Sequence, residues 1–484
     1  MRNAPLLART CLWALLTLVL GAGARATEVS SYAQVRERPI PGDPVKIDSG
    51  LVAGKLLPSG VRAYFGVPFA APPVRELRWR EPQPVPAWNG VFDADRPAPE
   101  CIQALRAHDI NNYFGEEATS EDCLYLNIWA PAAAGSGTRK PVVVWIYGGG
   151  FTAGSASMAN YGGETLARKG VVYVAIAYRV GAFGFLALPA LTAESPHHAS
   201  GAVGFLDQIA ALQWVRRNIA AFGGDPGNVT LMGQSAGSMS ISVLQSSPLT
   251  RGLFQHLVGL SGSVVVKQSL GGPWPLAAAE HEGTQLQEAL HATDLAALRQ
   301  LPADRILAAA IATRTRFGPT VDGYVLPASP LEIFAVGKQS DVPMLIGYAH
   351  DENVNFGLEM RAWARAQAAT GKSPVYAYLF ARVHPYAPGV VFSDHNPKTA
   401  GAYHSGDIPY WLGTLDAFNL FRTTRDWTGA DRALSDFMSD AIVSFATTGN
   451  PNRTGARDWP AYRPNDESIR ELNLQSRVVP WPIN

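Results

Sequence analysis

The sequence predicts an α/β protein built on a large, mostly parallel sheet with helices on both sides. Three observations carry that expectation. Pro141 to Tyr147 (PVVVWIY) and Val171 to Ala177 (VVYVAIA) are continuously apolar and rich in β-branched residues, as strands covered on both faces must be. Between Gly204 and Ala221 the apolar positions Leu206, Ile209, Ala210, Leu212, Trp214 and Ile219 recur at helical spacing. A further apolar run, Val229 to Met232, leads into Gly233-Gln234-Ser235-Ala236-Gly237 and then a helix-compatible segment from Ser238 to Leu244. Strands that alternate with helices feed a parallel sheet.

The turn at Ser235 has a chemical reading. A serine on a tight strand-to-helix turn is forced into a strained backbone conformation, with its hydroxyl lifted clear of the sheet. Side chains two residues before and after it would collide, so glycine is wanted at 233 and 237. This is the nucleophile elbow of an α/β-hydrolase, a large twisted sheet flanked by helices. The short pattern G-x-S-x-G occurs in many inert loops; the strand before it and the helix after it give this copy its weight.

Taken in order, the chain opens with a positive stretch containing Arg2 and Arg9, then a short apolar core from Cys11 to Leu20 and an A-x-A site at Ala24-Arg25-Ala26. These are the parts of a secretory signal, cleaved before Thr27. The core falls short of the ~20 apolar residues that span a bilayer, and no later segment reaches that length. The expected product is secreted or periplasmic, with residues 27–484 forming one domain, because the candidate catalytic residues are scattered over much of the chain. Of three cysteines, Cys11 leaves with the signal. Cys101 and Cys123 remain, and in an oxidising compartment an even pair is expected to form a disulfide rather than stay as two buried thiols. Closing that loop contributes roughly 3 kcal/mol in the chain-entropy account.

Ile47 to Gly54 alternates as a strand and turn. Tyr64 to Phe69 runs into Ala71-Pro72-Pro73 and Arg78-Trp79, whose prolines and glycines imply an irregular, extended surface layer rather than helices. Leu124 to Trp129 alternates like a half-buried strand, and Val342 to Gly347 is a further apolar strand. The formal net charge is zero and no long basic run occurs, which argues against nucleic acid or an anionic membrane as partner. No C-x-x-C, H-E-x-x-H or P-loop pattern is present, so no cofactor or metal is expected.

Gly148-Gly149-Gly150-Phe151 follows a central strand directly. Glycines there let the backbone approach a substrate and turn its N–H groups toward one point. Acyl transfer needs such donors for the oxyanion of its tetrahedral intermediate, and one donor is worth about 3 to 4 kcal/mol of barrier. A serine nucleophile also needs a base and an orienting acid, which follow it in the order acid, then histidine. His256, His281, His291, His350, His384, His395 and His404 all lie after Ser235, and spacing alone leaves them open. His404 sits in a glycine-bounded loop, Gly401 to Asp407, suited to presenting a ring. Asp351 and Glu352 follow a strand, where an acid belongs.

Over nearly the whole mature chain the sequence resembles the type-B carboxylesterases. FGGDPGNVTLMGQSAG (from Phe222) matches that family's serine-site pattern, and Glu121 to Asn127 (EDCLYLN) its second signature. SGLVAG at Ser49, YRVGAFGF from Tyr178, PTVDGYVLP from Pro319, TGNPN at Thr448 and WPAY at Trp459 add to the likeness. The resemblance implies Ser235 as nucleophile, Glu352 as triad acid and His404 as general base. It also implies Gly149, Gly150 and Ala236 as oxyanion-hole amides, the Cys101–Cys123 disulfide, and Ser261 as a serine standing behind the acid. The implied substrate is a small-molecule carboxylic ester; the related alternatives are a non-catalytic adhesion protein on the same fold or a lipase.

Departures from the family bear on substrate. Gln234 stands where many members have glutamate. The cysteine loop lacks the tryptophan with which cholinesterases hold quaternary ammonium and offers Tyr113 and Phe114 instead. Tyr147 matches the cholinesterase glycine loop, yet choline esters are not the expected substrates. Asn353 replaces a glycine after the acid. The stretch from Glu352 to His404 is much shorter than is usual, which implies a more open acyl or alcohol pocket. Asn228-Val229-Thr230 and Asn452-Arg453-Thr454 are glycosylation sequons.

Overall fold

The computed structural model describes residues 39–482 apart from 116–117, 133–137, 267–271, 454 and 456–457. The expected leader at residues 1–26 lies outside the described residues. Eleven strands form one sheet: β1 (Lys55–Leu56), β2 (Arg62–Pro68), β3 (Tyr125–Ala130), β4 (Lys140–Ile146), β5 (Val172–Ile176), β6 (Gly224–Gln234), β7 (His256–Leu260), β8 (Met344–Ala349), β9 (Val375–Phe380), β10 (Ser468–Leu472) and β11 (Arg477–Pro480). Their spatial order is β11-β10-β9-β8-β7-β6-β4-β5-β3-β2-β1. From β5 through β10 all neighbours are parallel, while both edges are closed by antiparallel pairs. The chain reverses its direction of travel across the sheet between β4 and β6. Ligands of open α/β sheets bind at such a switch point, outside the carboxyl ends of the strands.

The continuous apolar runs are buried as expected. Every residue from Val142 to Ile146 and from Val172 to Ile176 has no exposed surface. The strand expected at Val229 to Met232 is longer and begins at Gly224, its pairing with β4 broken irregularly between Gly224 and Val229. Two expectations are corrected. Leu124 to Trp129, read as half-buried from its alternation, is covered on both faces, because its polar Asn127 is spent inside on Gly66 and only Tyr125 is partly exposed. Tyr64 to Phe69 is no surface layer: it is the buried strand β2, with Ala63, Tyr64 and Val67 fully covered. Its glycine and proline suggested a loop. Gly66 instead sits at φ 66° at a pairing irregularity against β3, and Pro68 ends the strand.

Flanking helices include α1 (Val203–Asn218), α2 (Ala236–Ser246), α3 (Val354–Thr370) and α4 (Gly429–Thr448). Helix α2 packs on β6 and β7, and α3 on β8 and β9. The N-terminus of α4 is closed by a capping box between Thr428 and Asp431, which satisfies two otherwise orphaned N–H groups.

Much of the signature outside the elbow builds the fold. Glu121 pairs with the largely buried Arg78 at 2.5 Å, and Asp122 accepts from Tyr125 Oη at 2.8 Å. Asn127 accepts the Gly66 N–H at 2.9 Å, and Cys123 is joined to Cys101. Arg179 and Asp207 form a buried bidentate pair that fastens the turn after β5 to α1. Tyr147 and Tyr178 stack at 4.4 Å and exchange hydroxyl-to-carbonyl bonds of 2.8 Å each, so the glycine-loop tyrosine is fully buried and framework in role. In the cysteine loop Phe114 is buried edge-on against Phe418, while Tyr113 packs on Phe421 and His108. The sequon at Asn228 lies within β6, whose Val229 and Thr230 are buried. At the second sequon the Asn452 side-chain amide is spent on Asn450 and Trp459.

Candidate active site

Ser235 stands between β6 and α2 with φ 57° and ψ −125°, outside the ordinary regions for an L residue. The conformation is held from several sides. Its N–H donates to the Leu260 carbonyl at 2.8 Å and its carbonyl accepts from Met239 N–H at 2.8 Å. Glycine is required around it because backbone crowds in. A Cβ on Gly237 would fall well inside the shell of the Ile146 carbonyl oxygen, and one on Gly233 would lie 2.8 Å from the Gly237 carbonyl carbon. A Cβ on Gly148 would meet Ser235 Cβ at 2.9 Å, which brings the glycine loop directly against the serine.

That loop leaves β4 with φ 116° at Gly149 and 63° at Gly150, both solvent-exposed. The Gly149 carbonyl accepts from Thr152 and Ala153, turning the peptide away from the cleft. Among the described residues, the N–H groups of Gly149, Gly150 and Ala236 donate to no protein acceptor. Ala236 opens α2, so its amide also carries the positive end of the helix dipole.

Across the sheet switch point, Glu352 follows β8 and His404 sits on a loop 52 residues later. His404 Nδ1–H donates to Glu352 Oε2 at 2.5 Å. The carboxylate side chain is 1% exposed, and its other oxygen accepts the Ala349 N–H at 3.0 Å. Of the two acids that sequence left open, Glu352 therefore holds the ring. Asp351 grips the same loop by its backbone instead, accepting the Ala402 N–H at 2.7 Å, with His350 on its other oxygen. Because Glu352 takes the Nδ1 proton, Nε2 carries the lone pair. In this arrangement Nε2 accepts from the Gln234 side-chain amide at 3.0 Å, and among the described residues no hydrogen bond joins it to Ser235.

Two features of the site escaped sequence reasoning. Phe356, on the first turn of α3, stacks on the His404 ring at 4.4 Å and 13°. Its signal would have been an aromatic four residues beyond the acid, which is weak. Gln234 was singled out as a departure, but its contact with His404 spans 170 residues and has no local mark. Ser261 is fully buried at φ 54°, its N–H on Gly347; among the described residues its hydroxyl has no hydrogen-bond partner, Glu352 included. The His404 side chain is 34% exposed.

Behind His404, Asp407 is fully buried, with Tyr378 Oη donating to it at 2.7 Å. Burial, and next the charge of Glu352, push its carboxyl up to about 6. A separate cavity of about 250 Å³, lined by Trp79, Glu194, Ser200 and Tyr324 among others, shares no lining residue with Ser235, Glu352 or His404. Among the described residues no group of three or more His, Cys, Asp or Glu is arranged to hold a metal ion.

Comparison with known proteins settles what kind of chain this is. The carboxylesterase family matches residues 42–363 and 353–480. The chain belongs to the carboxylesterase family. It is a carboxylic ester hydrolase on an α/β-hydrolase fold. Fumonisin B1 esterase of Sphingopyxis macrogoltabida is 35% identical, over 87% of this chain and 84% of that one. Para-nitrobenzyl esterase of Bacillus subtilis is 34% identical, over 87% and 92%. Among solved structures, a PNB esterase superposes with a TM-score of 0.78 at 30% identity, covering 90% of this carboxylesterase and 96% of that chain. Carboxylesterase EST55 of Geobacillus stearothermophilus gives 0.76 at 30%, over 90% and 97%. The two stretches of the family match meet on α3, inside the shortened interval between Glu352 and His404.

Proposed function

We propose that this carboxylesterase is exported and hydrolyses esters through an acyl-enzyme formed on Ser235, with His404 as general base and Glu352 as its orienting acid. The observation that carries the reading is the Glu352–His404 hydrogen bond converging on the strained Ser235 turn beside three unspent N–H groups. Attack by Ser235 Oγ on the ester carbonyl passes its proton to His404 Nε2. The oxyanion falls to the amides of Gly149, Gly150 and Ala236. The imidazolium, steadied by Glu352, then protonates the departing alcohol oxygen. Water enters, gives its proton to the same nitrogen and releases the acid. For this cycle Nε2 must exchange the Gln234 amide for the serine hydroxyl. Catalytic hydrogen bonds are often unmade in a free enzyme and tighten when substrate arrives.

Esters bulkier than simple acetates suit the site. The base is a third exposed, and the relatives include enzymes named for fumonisin B1 and for para-nitrobenzyl esters. Export is supported by the leader pattern at residues 1–26 and by the Cys101–Cys123 disulfide. Ser235→Ala is expected to abolish p-nitrophenyl butyrate turnover with far-UV circular dichroism unchanged; full residual activity would overturn the assignment. N-terminal sequencing of exported material should begin at Thr27, and retention of residues 1–26 would contradict the export reading.

A further inference from the structure

The interior behind His404 holds an unusual group. Arg425 is 1% exposed, yet among the described residues it has no carboxylate partner. Burying an unpaired guanidinium costs several kcal/mol unless its N–H groups and its charge are met in other ways. Here neutral groups meet them. Nη2 donates to Asn111 Oδ1 at 2.5 Å and to Tyr403 Oη at 3.4 Å, Nε to His384 Nδ1 at 3.1 Å, and Nη1 to the Thr424 carbonyl at 3.2 Å. The cation lies 4.1 Å over the Tyr386 ring and 4.8 Å over that of Phe418.

These partners converge on the loop that carries the base. Tyr403 precedes His404 directly. His384 accepts on Nδ1 from Arg425 and from Tyr403 Oη (3.2 Å), so its proton resides on Nε2, which donates to the Gly406 carbonyl at 2.7 Å. Burial and the charge of Arg425 hold this imidazole well below the ordinary histidine range, so it stays neutral. Between these two anchors the Tyr403–Gly406 turn needs Ser405 at φ 72°, a left-handed conformation that an unsupported loop would leave. Asn111 and its neighbour Asn112, which donates to Ser405 Oγ at 3.2 Å, bring the disulfide loop to the same point.

We propose that Arg425 is a positioning residue for His404, acting through His384 and Tyr403 to hold the Tyr403–Gly406 turn where the ring reaches Glu352. This rests on the reading of His404 as the base. A ring displaced by about 1 Å loses on the order of a hundredfold in rate without losing the binding cleft.

The test uses the full exported chain and p-nitrophenyl butyrate, with His404→Ala as reference. Arg425→Met fills the space but removes the donors; kcat should fall ten- to hundredfold with KM within about twofold, and Arg425→Lys should recover part of the loss. His384→Phe keeps a ring against Tyr410 and Trp427 but frees the Gly406 carbonyl, and it should reproduce the kcat defect without touching Arg425. In the His404→Ala background neither change should lower the residual rate further. Parental kcat in either variant, a rise in KM that accounts for the loss, or an equal further loss in the His404→Ala background would overturn the proposal. Should Arg425→Met not fold, His384→Phe and Arg425→Lys decide it by the same criteria. His404→Ala retaining full turnover would instead remove the assignment of the base, a distinct failure.

Discussion

The side chain beside the serine occupies the second ring nitrogen of His404. Gln234 is 3% exposed and gives its amide hydrogen to His404 Nε2, the lone pair that the proposed mechanism assigns to the serine proton. Being a neutral amide, it meets the ring as a hydrogen-bond donor. Gln234→Glu would set a carboxylate against that nitrogen in place of the amide donor. The acid limb of the kcat/KM profile is then expected to move to higher pH, and an unmoved limb would disprove the contact. Asp407 acts on stability. Its carboxyl is raised from 3.8 to about 6, so the stabilisation tied to its protonated form is complete below pH 3.8 and lost as pH rises through 6. At pH 7.5 the fold carries a buried carboxylate, one oxygen of which has no hydrogen-bond partner among the described residues. Asp407→Asn keeps the acceptor for Tyr378 and should stabilise by on the order of 1 kcal/mol at pH 7.5 and not at pH 4. Urea midpoints at the two pH values measure it; equal effects at both would refute the linkage.

At the scale of elements, the elbow is a close approach of three backbone segments. β6 and α2 meet at Ser235, and the end of β4 passes so near that neither flanking glycine can carry a side chain. Gly237 is helical, so replacing it by alanine adds helix propensity and still costs, because the new methyl meets the Ile146 carbonyl oxygen. Gly237→Ala is expected to lose about 2 to 3 kcal/mol in urea unfolding and most of its activity, since the strand end can move only by dragging the glycine loop. A variant as stable as the parent would mean that the turn relaxes elsewhere. The same logic places Phe356: α3 begins immediately after the acid, and its first turn lays an aromatic ring on the base.

For the whole molecule, the disulfide couples stability to chemistry. It closes the loop of residues 101–123, whose Asn111 and Asn112 touch Arg425 and the turn after His404. Replacing both cysteines by serine should cost roughly 3 kcal/mol through the freed loop. It should also lower kcat more than a comparably destabilising change elsewhere, which steady-state kinetics well below the unfolding temperature would show. Unaltered kcat would mean that the loop holds its place without the cross-link.

Local pattern made the sheet legible, because strands buried on both faces have no choice but continuous apolar runs, and β4 and β5 carry them. It also marked the elbow and the glycine loop, since both need glycine at fixed offsets for steric reasons. The acid and the base were harder: seven histidines and two adjacent acids fitted local rules, and family likeness, not spacing, separated them. The tertiary structure brought Glu352 to His404 and put Asp351 on the loop backbone. β2 read as surface because proline and glycine signal loops, while it is held inside the sheet between β1 and β3, the latter more than fifty residues away. Gln234 on His404, and Arg425 behind it, were beyond any local reading, since a hydrogen bond across 170 or 314 residues leaves no periodicity in the chain. Sequence determines which backbone shapes each segment can adopt; which side chains then face one another depends on how the finished sheet brings its strand ends together.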